Sequence, residues 1–329
     1  MPSPSVGIIA TGSALPPKKI TNFDLEQMVD TSDQWIKTRT GIEERRILEK
    51  GKTTSDLAVE AARKALENSQ TKAEEIELII VASFTPDKVL PATACYVQHK
   101  LGARKAAAFD LLAGCSGFVY ALAVGRRFME SGTYRKILVI GVDILSRYVD
   151  WQDRSTCVLF GDGAGAAVLG RVKEGYGFLA DYLGTDGSKA EALMIPAGGT
   201  FAPTSEDTVR ERLHFIKMNG HEVFKFAVRV IEEATIEGLT RCQLKIEDLD
   251  FLLLHQANKR IIESARKRMS LKEEQVPIHL DRYGNMSAAS IPVLLDECVR
   301  ENRFKKGNLL AFVAFGAGLT WGSIVMRWA

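Results

Sequence analysis

The chain has 329 residues, 46% of them hydrophobic and 26% charged, with a mean hydropathy near zero. That is the make-up of an ordinary globular protein, long enough for about two domains and a large core. Its 43 basic and 41 acidic residues leave a net charge of +2, and no apolar run reaches the roughly 18–20 residues of a membrane span, so neither nucleic acid nor membrane is expected as a partner. The first 20 residues lack the basic start, apolar core and small-residue cleavage site of a secretory leader. Five cysteines, with no CxxC pair and no nearby His spacing, argue against a disulfide framework or a zinc site. A reduced, cytoplasmic protein without a metal is the expectation.

In chain order, a helical pattern spans Asp56 to Asn68 and leads to the nearly continuous apolar run Ile76 to Ala82. Ala106 to Leu112 reads as a strand, Phe118 to Val124 as a helix apolar all round, and Lys136 to Val142 as another strand. Gly161 to Gly165 opens a further strand-like stretch. A second helical pattern, Val223 to Leu239, precedes the apolar runs Leu249 to Leu254 and Leu309 to Phe315. Such runs suit strands covered by helices on both faces, and their alternation with helices makes the class α/β.

The order of elements repeats. Leu57-Ala58-Val59 corresponds to Phe226-Ala227-Val228, an offset of 169 from Ala58 to Ala227; Leu78 and Phe251, in the strands that follow, are 173 apart. Phe109-Asp110 to Cys115 aligns with Leu280-Asp281 to Asn285 across one deleted position, with 170 between Cys115 and Asn285. Basic turns, Tyr134-Arg135-Lys136 and Phe304-Lys305-Lys306, then enter apolar strands. The simplest reading is a duplicated fold of two βαβ-rich halves, residues 1–172 and 173–329, packed with pseudo-twofold symmetry. Cys115 and Asn285 then occupy equivalent helix N-termini and meet at one central site.

Cys115 stands in Gly114-Cys115-Ser116-Gly117, between a strand and a buried helix. A thiol there faces unpaired N–H groups and the positive end of the helix, which favour the nucleophilic thiolate. Cys95, Cys157, Cys242 and Cys298 read as small buried residues. His255 follows the strand Leu249 to Leu254, where ligands bind in α/β sheets; a hydrogen-bonded core histidine fits equally, and the neighbouring Gln256 and Asn258 favour a site. Asn285 alone would read as a helix cap, and its correspondence with Cys115 reverses that. Gly161-Asp162-Gly163-Ala164-Gly165 lacks the GK[ST] of a phosphate loop and leads into a strand, so it reads as a tight structural turn. Gly316-Ala317-Gly318, ending a central strand, fits either a structural turn or backbone N–H groups aimed at an oxyanion.

With these motifs, the sequence resembles the β-ketoacyl-acyl carrier protein synthase III family, the initiating condensing enzymes of type II fatty-acid synthesis. The resemblance runs through residues 28–45 (MVDTSDQWIKTRTGIEER), the cysteine motif, 160–170 (FGDGAGAAVLG), 255–258 (HQAN), 281–292 (DRYGNMSAASIP) and 315–322 (FGAGLTWG). It implies a homodimer with a duplicated thiolase-like fold in αβαβα layers and a catalytic Cys115, His255 and Asn285. It also implies an oxyanion hole from the N–H groups of Cys115 and Ala317; the family often has glycine at the second position, so the alanine is a departure. Trp35, Arg39 and Arg154 are implied to hold the adenine end of CoA, and Gly220 and Asn258 to line the pantetheine tunnel. Lys225, Arg260, Lys267 and Arg268 are implied to meet the acidic acyl carrier protein. Leu90 is implied to close the partner subunit's acyl pocket. The implied reaction joins an acyl-CoA primer to malonyl-acyl carrier protein through an acyl-cysteine, with CoA thioesters as substrates and no bound cofactor. A polyketide or quinolone condensing enzyme, a cysteine hydrolase and a non-enzymatic CoA-binding protein are the alternatives.

Overall fold

The computed structural model describes residues 5–329. In the first half, strand β1 (Val6–Ala14) is followed by helix α1 (Thr54–Asn68), β2 (Leu78–Ala82), β3 (Ala107–Leu111), α2 (Gly117–Glu130), β4 (Ile137–Asp143) and β5 (Gly163–Arg171). The second half runs β6 (Gly177–Thr185), α3 (Gly220–Thr240), β7 (Phe251–Leu254), α4 (Lys259–Arg268), α5 (Ser290–Arg300), β8 (Leu309–Gly316) and β9 (Thr320–Arg327).

Two mixed sheets result, ordered β1-β5-β4-β2-β3 and β6-β9-β8-β7. In the first, β2 lies parallel to β3 and β4, while β5 is antiparallel to both β4 and β1. In the second, β7 is parallel to β8, and β9 is antiparallel to β8 and β6. The duplication is therefore real strand by strand, with β3 the one member lacking a counterpart.

Side chains of β2 show why these strands read as unbroken apolar runs. Leu78, Ile80 and Ala82 face the central layer of α2 and α5, whereas Ile79 and Val81 face α1 on the other side. Both faces are dry, so the period-two alternation disappears. The outer face of the second sheet packs on α3 and α4 through Leu252, Leu254, Val230, Ile231, Ile261 and Ile262. The layers are α1, sheet, α2 with α5, sheet, and α3 with α4, the five-layer arrangement that the resemblance implies. On the first outer face, a Cβ at Gly12 would sit 2.4 Å from the Ala65 nitrogen, so β1 and α1 touch backbone to backbone.

The register of the repeat differs from the sequence reading in one place. Leu78 opens β2 and Phe251 opens β7; Gly117 opens α2 and Ser290 opens α5; both separations are 173. That offset puts Ala288, not Asn285, opposite Cys115. The second half has no β3; the short helix Leu280–Tyr283 leads to Asn285 instead, so the two halves approach their central helices by different paths. Among the other cysteines, Cys157 and Cys298 are buried, but Cys95 is exposed and Cys242 only half-buried. Cys95 lies on the outer face of helix Thr93–Leu101, which buries Thr93, Ala94 and Val97. Among the described residues, no helix is long and apolar enough to cross a membrane.

Candidate active site

Cys115 sits in the 3-10 turn Gly114–Ser116 that joins β3 to α2. Gly114 holds a left-handed φ of 52°, which only glycine adopts freely, and the turn between β8 and β9 packs onto it. A Cβ at Gly316 would lie 2.7 Å from the Cys115 nitrogen, and one at Gly114 would lie 3.2 Å from the Ala317 nitrogen. The Thr320 hydroxyl ties this turn down, 3.0 Å from the Ala113 carbonyl oxygen and 3.1 Å from that of Ala317. The Cys115 and Ala317 N–H groups have no oxygen acceptor among the described residues.

The Cys115 thiol itself corrects the sequence expectation. It is 8% exposed, and burial pushes it up to about 12; the charge of Asp143 adds to the rise, and the Ser287 hydroxyl opposes it. In this dry setting desolvation is the largest influence on the sulfur, and it favours the thiol over the thiolate.

His255 follows β7, with its N–H donating to the Val313 carbonyl of β8 at 2.9 Å and its ring edge-on to Phe315 at 5.4 Å. Burial, with help from nearby His279, drives it down to about 3, so the imidazole is neutral near pH 7. Asn285 is held by its backbone: its N–H donates to Leu159 at 2.9 Å and its carbonyl accepts from Gly161 at 3.0 Å. Its Oδ1 accepts from the Ser287 N–H at 2.8 Å, which leaves the amide NH2 to face the cavity. The glycine run that read as a structural turn is the clamp on this residue, since a Cβ at Gly161 would lie 2.3 Å from the Tyr283 carbonyl oxygen. Buried Asp162 steadies the clamp by accepting from the Leu48 N–H and from the Ser146 N–H and hydroxyl.

Cys115, His255 and Asn285 line one cavity, together with Phe315, Gly220 and Asn258. On its other side Cys115 opens into an apolar chamber of about 440 Å³ bounded by Phe84, Leu112, Met194, Ile195 and Ile216. Leu112, 76% exposed, forms part of that wall, while Leu90 is 84% exposed on a loop and does not line the chamber within one chain.

Further out, Trp35 is covered by Arg39 and Arg154, whose guanidinium carbons lie 5.9 and 5.4 Å from its ring centre. Asn258 caps α4 by accepting from the Arg260 N–H at 2.8 Å, and its amide donates to the Arg39 carbonyl at 3.0 Å, linking this cluster to the cavity mouth. Lys225, Arg260, Lys267 and Arg268 are all exposed around the same mouth helices. Arg268 is tied to Glu232 at 2.7 Å, so its charge is partly spent inside the protein, and Arg260 lies over the Phe224 ring. Sequence reasoning missed Phe315, Ser287 and Asp143. The last left a signal: it is the charge that closes the otherwise apolar strand β4.

The chain matches two family models, 3-oxoacyl-[acyl-carrier-protein] synthase III over residues 109–187 and the C-terminal part of the same enzyme over residues 239–328. It is 58% identical to a β-ketoacyl-[acyl-carrier-protein] synthase III of Caldanaerobacter subterraneus, over 99% of this chain and 98% of that one. Its structure is similar to that of the Thermus thermophilus β-ketoacyl-[acyl carrier protein] synthase III, with a TM-score of 0.92 and 46% identity over 98% of this chain and 99% of the other. It is also similar to the priming β-ketosynthase of the R1128 polyketide pathway, with a TM-score of 0.91 and 32% identity over 100% and 98%. Identity at this level along nearly the whole length shows that the chain belongs to the 3-oxoacyl-[acyl-carrier-protein] synthase III family.

Proposed function

We propose that the chain carries out its family's initiating condensation. An acyl-CoA primer and malonyl-acyl carrier protein give 3-oxoacyl-acyl carrier protein, CO2 and CoA. One observation carries this reading: a single cavity holds a buried cysteine, a neutral histidine and an asparagine with its NH2 turned inward, at a turn where the Cys115 and Ala317 N–H groups have no oxygen acceptor.

In the first half-reaction the Cys115 sulfur attacks the thioester carbonyl, and the N–H groups of Cys115 and Ala317 receive the oxyanion. CoA leaves, and the acyl chain rests in the apolar chamber. In the second, the malonyl thioester reaches the other cavity, where His255 and Asn285 donate to its carbonyl. Negative charge builds on that oxygen as CO2 departs, and the resulting carbanion attacks the acyl carbon. Donors that carry no charge of their own suit this step, and burial keeps His255 in that state.

Around this centre, Trp35, Arg39 and Arg154 serve the adenine end of CoA, with Gly220 and Asn258 along the pantetheine arm. Lys225, Arg260 and Lys267, with Arg268 at the edge, meet the carrier protein. A homodimer places Leu90 of one subunit at the open side of the other's acyl chamber. The test is incubation with acetyl-, isobutyryl- and longer acyl-CoAs plus malonyl-acyl carrier protein, with products identified by mass. A 3-oxoacyl product two carbons longer than the primer is expected. Free acid instead would make the chain a cysteine hydrolase, and no acyl transfer at all a binding protein. The range of primers accepted separates a fatty-acid role from the polyketide priming of its R1128 relative.

A further inference from the structure

The residues around His255 and those leading to Asn285 meet on one buried carboxylate that takes no part in the condensation as described. Glu297 lies on α5, 6% exposed, and its side-chain donors all come from residues 279–283. The His279 Nδ1 stands 3.2 Å from Oε2, and the Tyr283 hydroxyl donates to Oε1 at 2.6 Å. The Arg282 guanidinium donates to Oε1 at 3.3 Å and to Oε2 at 3.1 Å.

Two arms run from this carboxylate towards the condensing pair. The first passes through His279, whose backbone N–H donates to Gln256 Oε1 at 3.2 Å. Gln256 donates in turn to the Leu254 carbonyl at 2.9 Å, and the residue between those two is His255. Both His279 and Gln256 are fully buried. The second arm is Tyr283, two residues before Asn285. Its ring packs edge-on against His279 at 5.1 Å, and its carbonyl oxygen lies against Gly161.

Burial works against a charge on Glu297, but the His279 and Tyr283 donors and the Arg282 charge hold it down to about 2, so it is a carboxylate. Burial pushes His279 below the ordinary histidine range, which leaves a neutral ring whose Nδ1–H points at that carboxylate. A buried ionic cluster adds little to stability over an apolar one of the same volume. What it supplies here is direction, since each of its hydrogen bonds fixes one side chain of the 279–283 segment.

We propose that Glu297 is a positioning residue for the condensing half-reaction, holding His255 through His279 and Gln256 and the approach to Asn285 through Arg282 and Tyr283, so that both donors meet one carbonyl oxygen. The inference rests on His255 and Asn285 acting as the donors proposed above. Cys115 is held by other contacts, those of Gly114, Gly316 and Thr320, so its acylation does not depend on Glu297.

The test compares acyl-enzyme formation with condensation on malonyl-acyl carrier protein, in variants shown to be folded by circular dichroism. Glu297→Ala should lower the condensation kcat about 10²-fold, the cost of misplacing a reacting group by about 1 Å, and leave the acylation rate native. Glu297→Gln keeps the volume and an accepting oxygen, and should recover part of that loss. Gln256→Ala should cost less in the Glu297→Ala background than alone, because one arm is then already broken. Asp296→Asn is the control: this neighbouring buried carboxylate accepts instead from Thr11 and Ser13 of β1, and its loss should not separate the two half-reactions. Imidazole 15N spectra of the five histidines need no substrate. Native His279 should be neutral with its proton on Nδ1, and Glu297→Ala should move the signals of both His279 and His255. A native ratio of condensation to acylation in Glu297→Ala, the same split in Asp296→Asn, or an unmoved His255 signal would overturn the proposal. Should the native enzyme form no 3-oxoacyl product, the condensing reading falls, and the histidine spectra alone decide whether Glu297 positions His255.

Discussion

Replacing Gly161 by alanine tests whether condensation depends on the clamp that holds Asn285. The new Cβ would lie 2.3 Å from the Tyr283 carbonyl oxygen and 3.1 Å from the Arg45 Cβ, where ordinary contact begins near 3.4 Å. Arg45 has little room to yield: it is fully buried and donates to Val158 O at 2.8 Å and to Asn22 Oδ1 at 3.0 Å. The segment from Tyr283 to Asn285 therefore moves, by about 1 Å, and a misplacement of that size costs about 10²-fold in rate. The overpacking should also cost about 1–3 kcal/mol of stability. Cys115 does not depend on this clamp, so acylation should persist. The assay compares acyl-enzyme formation, by intact-protein mass, with the condensation rate on malonyl-acyl carrier protein, in a variant shown by circular dichroism to be folded. Gly163→Ala is the control: its Cβ presses on the Met286 sulfur, near the end of a flexible side chain, and condensation should fall much less. A native condensation rate in Gly161→Ala, or an equal loss of acylation, would refute the reasoning.

His255→Ala and Asn285→Ala should each retain transacylation from CoA and lose about 10²–10³ in malonyl decarboxylation, the cost of removing one donor to a developing oxyanion; equal loss of both half-reactions would show the roles misassigned. Because burial lowers His255 to about 3, the unfolded chain takes up a proton below about pH 6.5 that the folded chain refuses, so its contribution erodes between those values. Urea unfolding at pH 7 and pH 5 should therefore show a shallower acid loss in His255→Ala than in the native protein. Charge reversal at Arg260 or Lys267 should weaken use of malonyl-acyl carrier protein, chiefly at low salt, while sparing malonyl-CoA; equal effects on both substrates would make these residues structural. Leu90→Phe should shift kcat/KM from branched and C4–C5 primers towards acetyl-CoA, since each buried methylene is worth about 0.8 kcal/mol; strict acetyl specificity in the native enzyme would exclude a role for Leu90 in primer choice.

Most of the architecture was legible because its strands are dry on both faces. Leu78 to Ala82 and Phe251 to Leu254 read as continuous apolar runs, and their 173-residue spacing is the true register of the duplication. The spacing from Cys115 to Asn285 misled because the halves differ just there: one arrives by β3, the other by the helix Leu280–Tyr283. A strand-to-helix turn announced Cys115, but its desolvation depends on distant segments, Phe160 and Phe315 among them, whose convergence no local pattern reveals. The same holds for Gly161. Its lack of a phosphate-loop signature was readable, whereas its contact with Tyr283 is a long-range fact. The pairing of Arg268 with Glu232 joins two helices and was equally invisible in a list of basic residues.

If Cys115 carries the acyl group, the two chambers that open on its sulfur bear on the kinetics as well as the chemistry. The acyl chain can park on one side of Cys115 while the cavity bearing His255 and Asn285 stays open for the next thioester. If both thioesters reach Cys115 through that cavity, they must take turns there. Double-reciprocal plots should be parallel, and either substrate in excess should block the other's turn. Flux then peaks at a balanced ratio of primer to extender, so the geometry makes the first committed step a gauge of relative supply rather than of either pool alone.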